Sequence, residues 1–288
     1  MIRLLLPLLL CLPLSLAAAR SPELQAAVDL FNQRGKNSEA KATFEKVVAA
    51  DAKNADAWHF LGQLALRADD HETAVKHAEK AVALEPTNST FQLRLGDAYG
   101  RTAQKAGVFS KMSWAGKCRD AYQKAVQLDP KNVDARFALL GFYQQAPGLV
   151  GGGMDKAYNE AAEIQKLDAA RGREAYERLY LADKKHAEAF ALWEPLLKES
   201  PDGYLPNFRI GRLAALSGEQ LDRGLASLKK CLDLKPVAGA PGHEAVHFRL
   251  GGILEKKGDS AGAKAAYEAA LKLAPQFTQA AEALKKLK

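Results

Sequence analysis

Residues 74–86 read AVKHAEKAVALEP, and the spacing within this stretch decides the fold. Ala74, Ala78 and Ala81 follow one another at intervals of four and three residues, which is the period of one face of an α-helix. Small residues on that face let a second helix approach closely, and Pro86 cannot continue the helix. The stretch therefore predicts the second helix of a tightly packed helical pair, ending before Pro86.

The same spacing recurs along the chain. It is found in the runs Ala40–Phe44–Val47–Ala52, Cys118–Tyr122–Ala125–Pro130 and Ala263–Tyr267–Ala270–Pro275. A helical pattern with a Leu-Gly pair precedes each of the later runs, and Gly62 and Gly96 of two such pairs are 34 residues apart, as are Ala52 and Pro86. A fixed period of this length is the signature of stacked repeats.

Two amphipathic helices in each period, with Leu-Gly in the first and small-aromatic-small then Pro in the second, resemble the tetratricopeptide repeat family. The resemblance covers nearly all of the chain after residue 19 and implies an all-α fold, a right-handed α-solenoid of about seven helical hairpins. One hairpin cannot bury its own apolar face, so its neighbours must complete the core. The single predicted domain, residues 20–288, has repeats over about 21–54, 55–88, 89–132, 133–169, 170–203, 204–238 and 243–276, and a capping helix over 277–288.

The first nineteen residues predict export. A short basic start leads into the apolar run Leu4–Leu16 and then into three alanines that end at Ala19. This order is typical of a secretory signal peptide, here cleaved after Ala19. The apolar run is too short to span a membrane. We therefore expect a periplasmic or otherwise secreted bacterial protein without stable membrane insertion.

The charge pattern excludes one class of partner. The chain has 41 basic and 34 acidic residues, a net charge of +7, and the two signs alternate along most of its length. Such alternation is typical of a solvated surface and not of a nucleic-acid track. No nucleophile–base signature accompanies the histidines. We expect a non-enzymatic scaffold without a cofactor, a monomer or weak oligomer, that binds a protein or peptide partner.

One short motif suggests different chemistry. Residues 243–247 read HEAVH, the pattern in which two histidines bind zinc and a glutamate activates water. A third ligand is required, and Glu268 on the paired helix is the candidate for it. In the repeat register, however, His247 takes the packing position of Trp58. Repeat packing is therefore the favoured interpretation, and a zinc-dependent hydrolase using His243, His247 and Glu244 is the alternative.

The resemblance also implies a binding surface. In this family the first helices of successive repeats line a concave groove that holds extended peptides or helices. The predicted groove residues are His59, Gln63, Arg67, Leu93, Asp97, Arg101, Phe208, Arg212 and Phe248. Aromatic anchors beside guanidinium groups suit a peptide with apolar and acidic side chains. The alternative is that the aromatic side chains are ordinary packing between repeats.

Two inserts interrupt the repeat pattern. The third repeat carries ten extra residues between its helices, within 100–117, where four bases and no acid surround Phe109, Met112 and Trp114. The fourth carries about five, within APGLVGGGMDKA (146–157). We predict that inserts 100–117 and 146–153 form a lip beside the groove. The alternatives are that Phe109, Met112 and Trp114 cover the core and that the lip binds an envelope polysaccharide through Trp114. The glycines are interpreted as a tight turn, with a phosphate cradle as the alternative.

Overall fold

The computed structural model describes residues 20–287, and the predicted signal peptide lies outside this range. All regular structure within these residues is helical, so the all-α prediction is confirmed. The chain divides into two compact units, the first ending at Ala135 and the second beginning at Arg136. None of the helices in residues 20–287 combines the length and the apolar character needed to cross a bilayer.

The first unit consists of three helical hairpins. Their helices are α1 (Pro22–Asn32), α2 (Asn37–Ala50), α3 (Ala55–Arg67), α4 (His71–Leu84), α5 (Ser89–Lys105) and α6 (Val108–Leu128). Several helices begin where a side chain accepts a hydrogen bond from the first turn, as Asn54 does for α3 and Asn88 for α5. Leu24, Phe44 and Leu61 share one buried cluster across α1, α2 and α3, so each hairpin completes the core of the next.

A glycine–tyrosine contact holds the third hairpin together. A Cβ atom placed on Gly96 in α5 would lie 2.4 Å from Cδ1 of Tyr122 in α6, so only glycine fits there. The Tyr122 hydroxyl donates a hydrogen bond of 2.9 Å to Oδ1 of Asp97. Gly251 and Tyr267 make the same close contact in the last repeat. The two halves of the sequence pattern thus meet in space because each small residue faces a large one.

The second unit contains the remaining repeats. Its helices are α7 (Val133–Gln145), whose first residues belong to the first unit, α8 (Met154–Leu167), α9 (Ala169–Ala182), α10 (His186–Ala191), α11 (Glu194–Glu199), α12 (Tyr204–Ser217), α13 (Leu221–Asp233), α14 (His243–Lys256), α15 (Ser260–Leu273) and α16 (Thr278–Lys286). The last helix, α16, packs on α15 and buries Ala280, in the range predicted for the capping helix.

The fifth repeat differs from the sequence pattern. Its second helix is interrupted between α10 and α11, because Pro195 in the first turn of α11 has no N–H to continue the backbone ladder. Glu177 occupies the position of the repeat glycine, and Trp193 follows it by sixteen residues, as Tyr267 follows Gly251. The Trp193 indole Nε1 donates a hydrogen bond of 2.6 Å to Oε2 of Glu177. A buried carboxylate–indole pair thus replaces the glycine–tyrosine contact.

The insert of the third repeat is helical and not a loop. Helices α5 and α6 contain 17 and 21 residues, whereas α3 and α4 contain 13 and 14. At 1.5 Å per residue these extensions make the third hairpin about 6–10 Å longer than the second. The chain turns at Ala106 and Gly107, between the two long helices. We call residues 106–112, at the end of this hairpin, the apex.

The insert of the fourth repeat is a closed turn. Gly148–Val150 forms a short 3-10 turn, and Gly151 follows with φ of 90°, which favours glycine. The N–H groups of Gly151, Gly152 and Gly153 donate to the carbonyls of Gly148, Pro147 and Tyr143, in that order. These donors are used inside the turn, so the phosphate-cradle alternative is wrong. The apex belongs to the first unit and this turn to the second, and the lip that would join them stays a prediction.

Candidate functional site

An open cleft of ≈ 390 Å³ lies between α3 and α5 in the first unit. It brings together three of the predicted groove residues, Arg67, Asp97 and Arg101. The side chains and backbone around it belong to Leu66, Arg67, Asp97, Gly100, Arg101, Gln104 and Tyr122. We call this surface the cleft.

Arg67 is held in place by neutral acceptors. Its Nη1 donates to the Phe31 carbonyl at 3.0 Å and to Oδ1 of Asn37 at 2.9 Å. Its Cζ atom lies 3.6 Å from the centroid of the Phe31 ring, a cation–π geometry. Neither oxygen carries a formal charge, so these bonds orient the guanidinium without neutralising it.

Asp97 is the acidic residue of the cleft, and its charge is balanced. Oδ2 accepts from Nη1 of Arg94 at 2.9 Å, and Oδ1 accepts from the Tyr122 hydroxyl at 2.9 Å. Burial, together with the negative charge of Asp97, raises the pKa of Tyr122 far above its usual value. The phenol therefore remains a neutral donor. Asp97 is oriented and paired, so it does not oppose an anionic ligand as a free carboxylate would.

Arg101 is the available cation of the cleft. Its side chain is exposed, and within residues 20–287 its guanidinium makes no hydrogen bond or ion pair. The nearby Asp69 carboxylate accepts from Nζ of Lys105 at 3.0 Å. That hydrogen bond is the main reason why the pKa of Asp69 is lowered, and the charge of Arg101 adds a smaller effect. Two guanidinium groups and one balanced carboxylate make the cleft favourable for an anion.

Three other predicted groove residues of the first unit serve packing. His59 and Leu93 are buried, and the His59 ring stacks on Phe91 with 4.8 Å between the centroids. Nε2 of His59 lies 2.8 Å from Nε2 of Gln63. Burial lowers the pKa of His59 to about 4, and the charges of Arg94 and Arg20 add to the effect. His59 is therefore neutral near pH 7, and its role matches the packing alternative.

The predicted groove residues of the second unit are buried or already engaged by neighbouring side chains. Phe208 is buried, and half-buried Phe248 lies with its centroid 5.1 Å from that of Phe277. Arg212 pairs closely with Oε1 of Glu177, a carboxylate that is only 2 % exposed. Arg209 contacts the same carboxylate, at 3.4 Å. The fifth repeat thus supplies the partner of Arg209 and Arg212, whereas Phe248 packs on a residue that follows its own repeat.

Three large apolar residues of the first insert, Phe109, Met112 and Trp114, separate into two groups. Phe109 is fully exposed and Met112 is 46 % exposed. Trp114 instead packs on Tyr99, with 5.7 Å between centroids, and Nζ of Lys117 lies 4.5 Å from the Trp114 ring centroid. The core-covering alternative therefore describes Trp114 alone. Because Tyr99 and Lys117 both contact its ring, Trp114 offers little free surface for stacking on a sugar.

The structure does not support the zinc alternative. Nε2 of His243 lies 2.9 Å from the Leu234 carbonyl and 3.1 Å from the Cys231 carbonyl, so it carries the proton and donates to them. Burial lowers the pKa of half-buried His247, and the positive charge of a protonated His243 lowers it further. Glu268 is exposed and lies 4.0 Å from Lys264. Across residues 20–287 no three His, Cys, Asp or Glu side chains are grouped as metal ligands.

A second cavity, of ≈ 570 Å³, was not predicted from the sequence. It lies between α4 and the extended ends of α5 and α6, with Val75, Ala106 and Trp114 among its apolar walls. The cavity exists because the insert lengthens two helices past α4. The insert lacked a clear helical face in the sequence, and that is why this geometry was missed.

The arrangement of paired helices that complete one another's core defines a helical-repeat protein. Two family models, both described as tetratricopeptide repeat, match residues 26–89, from within α1 to the start of α5, and residues 244–277, which cover nearly all of α14 and the whole of α15. Each unit therefore has a segment that matches the tetratricopeptide repeat, and repeats of this kind generally mediate protein–protein interactions. No curated protein matches the chain significantly in sequence.

Solved structures show the same fold. A tetratricopeptide repeat protein from Parabacteroides merdae is 15% identical, with a TM-score of 0.64 over 92% of this chain and 97% of its own. Yeast Tom70 is 15% identical, with a TM-score of 0.65 over 92% of this chain and 56% of its own. The protein TTC0263 from Thermus thermophilus is 19% identical, with a TM-score of 0.51 over 73% of this chain and 97% of its own. At these identities the likeness establishes the fold alone.

Proposed function

We propose that the protein is an exported, non-enzymatic scaffold that binds an acidic peptide or protein segment in the cleft of the first unit. The observation that carries this proposal is the pair of guanidinium groups, Arg67 and Arg101, that border the cleft without a carboxylate partner. Arginine presents its N–H groups as a planar fork that can bind both oxygens of a carboxylate. Both hydrogen bonds that hold Arg67 come from Nη1, which leaves its other donors for a ligand.

The size and lining of the cleft suit one or two side chains of an extended segment. Its volume of ≈ 390 Å³ lies in the range of small ligand sites, about 300–1,000 Å³. Leu66 and the ring of Tyr122 add apolar surface beside the two guanidinium groups. A ligand with a carboxylate next to an apolar side chain would therefore match both the charge and the chemistry of the cleft.

The same proposal places the protein outside the cytoplasm. Its support is the order of basic start, apolar run and three alanines in residues 1–19. Fractionation of cells that express the full chain, followed by N-terminal sequencing, tests this location. We expect a mature protein that begins at Arg20 in the extracytoplasmic fraction. A cytoplasmic protein that retains Met1 would contradict the proposed export.

Selection from a random peptide library tests the cleft. Peptides retained by the wild-type chain are expected to be acidic, and replacing their Asp and Glu by Asn and Gln should abolish retention. Arg101→Glu should weaken binding about ten- to a hundredfold, since a hydrogen bond to a charged group is lost and a repulsion is added. Lys46→Glu is the matched control, because Lys46 is an exposed base on α2 and changes the net charge equally. Equal losses in the two variants would mean that the cleft is not the site.

A further inference from the structure

The apex presents the most concentrated exposed apolar surface of the described chain. Of the eight large apolar side chains exposed in residues 20–287, three lie within five residues: Val108 (80 %), Phe109 (100 %) and Met112 (46 %). Met112 follows Phe109 by three residues and Val108 by four at the start of α6, so it adjoins both side chains on the helix surface. Contiguous exposed apolar surface at one place marks an interaction site more often than scattered apolar residues do.

The charge around this surface is positive. Residues 100–117 contain four bases and no acid. Lys111, between the three apolar side chains, is exposed and makes no ion pair within residues 20–287. On the facing helix α4, Glu72 pairs with Lys76 and Glu79 accepts from the Tyr99 hydroxyl, each at 2.8 Å, and neither carboxylate pairs with Lys111. The positive charge of the apex is therefore available to an anionic partner.

The shape of the apex limits which partner it fits. The third hairpin is longer than the second, so Phe109 lies at the end of a projection and not in a concavity. Packing of Trp114 on Tyr99 and of Lys117 on Trp114 supports the projecting end of α6. Gly107 is the N-cap residue of α6. It has no side chain to accept a hydrogen bond from the N–H groups of the first turn, so these donors lack a side-chain partner. A soft, flat, anionic surface with an apolar layer beneath it matches these features together.

We propose that the apex docks the protein onto the surface of a bilayer containing anionic lipids. Val108, Phe109 and Met112 enter the boundary between headgroups and acyl chains, and Lys111 stays among the headgroup phosphates. The binding is peripheral, and it is independent of the cleft because it uses different residues and needs no peptide. Basic residues beside inserted apolar side chains are the usual composition of interfacial membrane contacts.

Flotation with lipid vesicles tests the proposal. The wild-type chain should float with vesicles of phosphatidylglycerol and phosphatidylethanolamine, and much less with vesicles of phosphatidylcholine alone. Raising the salt concentration should weaken the binding, because ions screen the lysine–phosphate attraction. Phe109→Ser should lower the partition coefficient about tenfold or more, and Lys111→Glu about fivefold or more.

The control is an equivalent change elsewhere. Leu273→Ser replaces an apolar side chain that is also exposed, at the end of α15, and it should leave flotation unchanged. All three substituted residues are exposed, so circular dichroism should show an unaltered fold. If Leu273→Ser lowers flotation as much as Phe109→Ser does, or if the wild-type chain floats with neither vesicle, the proposal is overturned.

A fluorescence measurement separates insertion from simple adsorption. In Phe109→Trp, the additional indole emission should shift to shorter wavelength when anionic vesicles are added, because the ring leaves water. The unsubstituted chain, with its three tryptophans elsewhere, supplies the background. Absence of the shift would exclude insertion of the apex. Phe109→Ser could still bind vesicles and yet lose a protein that co-purifies with the wild-type chain. That result would identify a protein partner for the apex and overturn the lipid proposal.

Discussion

Asp97 in the third repeat and Arg212 in the sixth each follow the glycine of a first helix, yet their surroundings differ. Asp97 borders an open cleft beside the unpaired guanidinium of Arg101. Arg212 is bound to the buried carboxylate of Glu177, which the fifth repeat carries in place of a glycine. Equivalent positions in the repeat thus lie at equivalent places in the structure. Whether a charged side chain is free to bind a partner depends on the residue that the preceding repeat presents to it.

The largest expected effect comes from removing the buried carboxylate. Glu177→Ala leaves Arg212 and the Trp193 N–H without their acceptor in the second unit, and Arg209 keeps only its pair with Glu174. Breaking a buried ion pair from one side should lower the free energy of unfolding by about 3 kcal/mol. Chemical denaturation measures this change.

The control for that change is the exposed acid on the same helix. Glu174 pairs with Arg209 but is 40 % exposed, so solvent screens the pair. Glu174→Ala should lower the free energy of unfolding by less than about 1 kcal/mol. If both variants lose the same small amount, Glu177 is not the residue that distinguishes the second unit from the first.

The next effect concerns the glycine that the fifth repeat lacks. Gly96→Ala would place a Cβ atom 2.4 Å from the Tyr122 ring, so helices α5 and α6 must move apart. Overpacking of this kind should lower the free energy of unfolding by about 1–3 kcal/mol. Gly116→Ala is the control, because nothing lies within 4 Å of its Cβ position in α6. There the better helix propensity of alanine should stabilise the protein by up to about 1 kcal/mol. A destabilising Gly116→Ala would show that glycine in α6 is required for another reason.

A pH titration extends the comparison to His59, a groove position that is internal. Its pKa is about 4 when folded, against 6.5 as the reference for the unfolded chain. Between these values the unfolded chain binds the proton first, so the free energy of unfolding falls as the pH falls from 6.5 towards 4. At pH 5 the loss relative to pH 7 should reach about 2 kcal/mol.

The matched variant isolates this histidine from other titrating groups. His59→Gln cannot take up the proton, so its unfolding free energy should depend less on pH across the same window. Denaturation curves at pH 7, 6 and 5 for the two proteins supply the difference. Equal pH dependence in both would show that His59 is not held neutral by the fold.

The regular repeats could be predicted from the sequence because their signals are local. Small residues at helical spacing followed by proline predict α4, which ends at Leu84, two residues before Pro86. The carboxylate–indole pair of the fifth repeat was not predicted, because Glu177 in a glycine position has no periodicity signal of its own. The helical insert was missed for a related reason. Residues 100–117 contain three glycines, which disfavour a helix, and no regular apolar face that would indicate one.

The cleft could be predicted only in part. Arg67, Asp97 and Arg101 lie together as the repeat register indicated. The burial of His59 and Phe208 depends on which side chains the adjacent helices place against them, and that information is not local in the sequence. Register predicts which residues are neighbours, whereas packing decides which of them remain accessible.

The smallest expected effect tests the comparison most directly. Arg101→Ala should change the free energy of unfolding by no more than about 0.5 kcal/mol, because the side chain is exposed and has no partner in residues 20–287. Arg212→Ala should lower the free energy of unfolding clearly more than Arg101→Ala does, because it leaves part of the buried Glu177 charge uncompensated. The same denaturation assay measures both. Because the proposed ligand needs Arg101 and not Arg212, a stable Arg101→Ala protein that still binds acidic peptides at full affinity would show that an unpaired guanidinium is not enough to define the site.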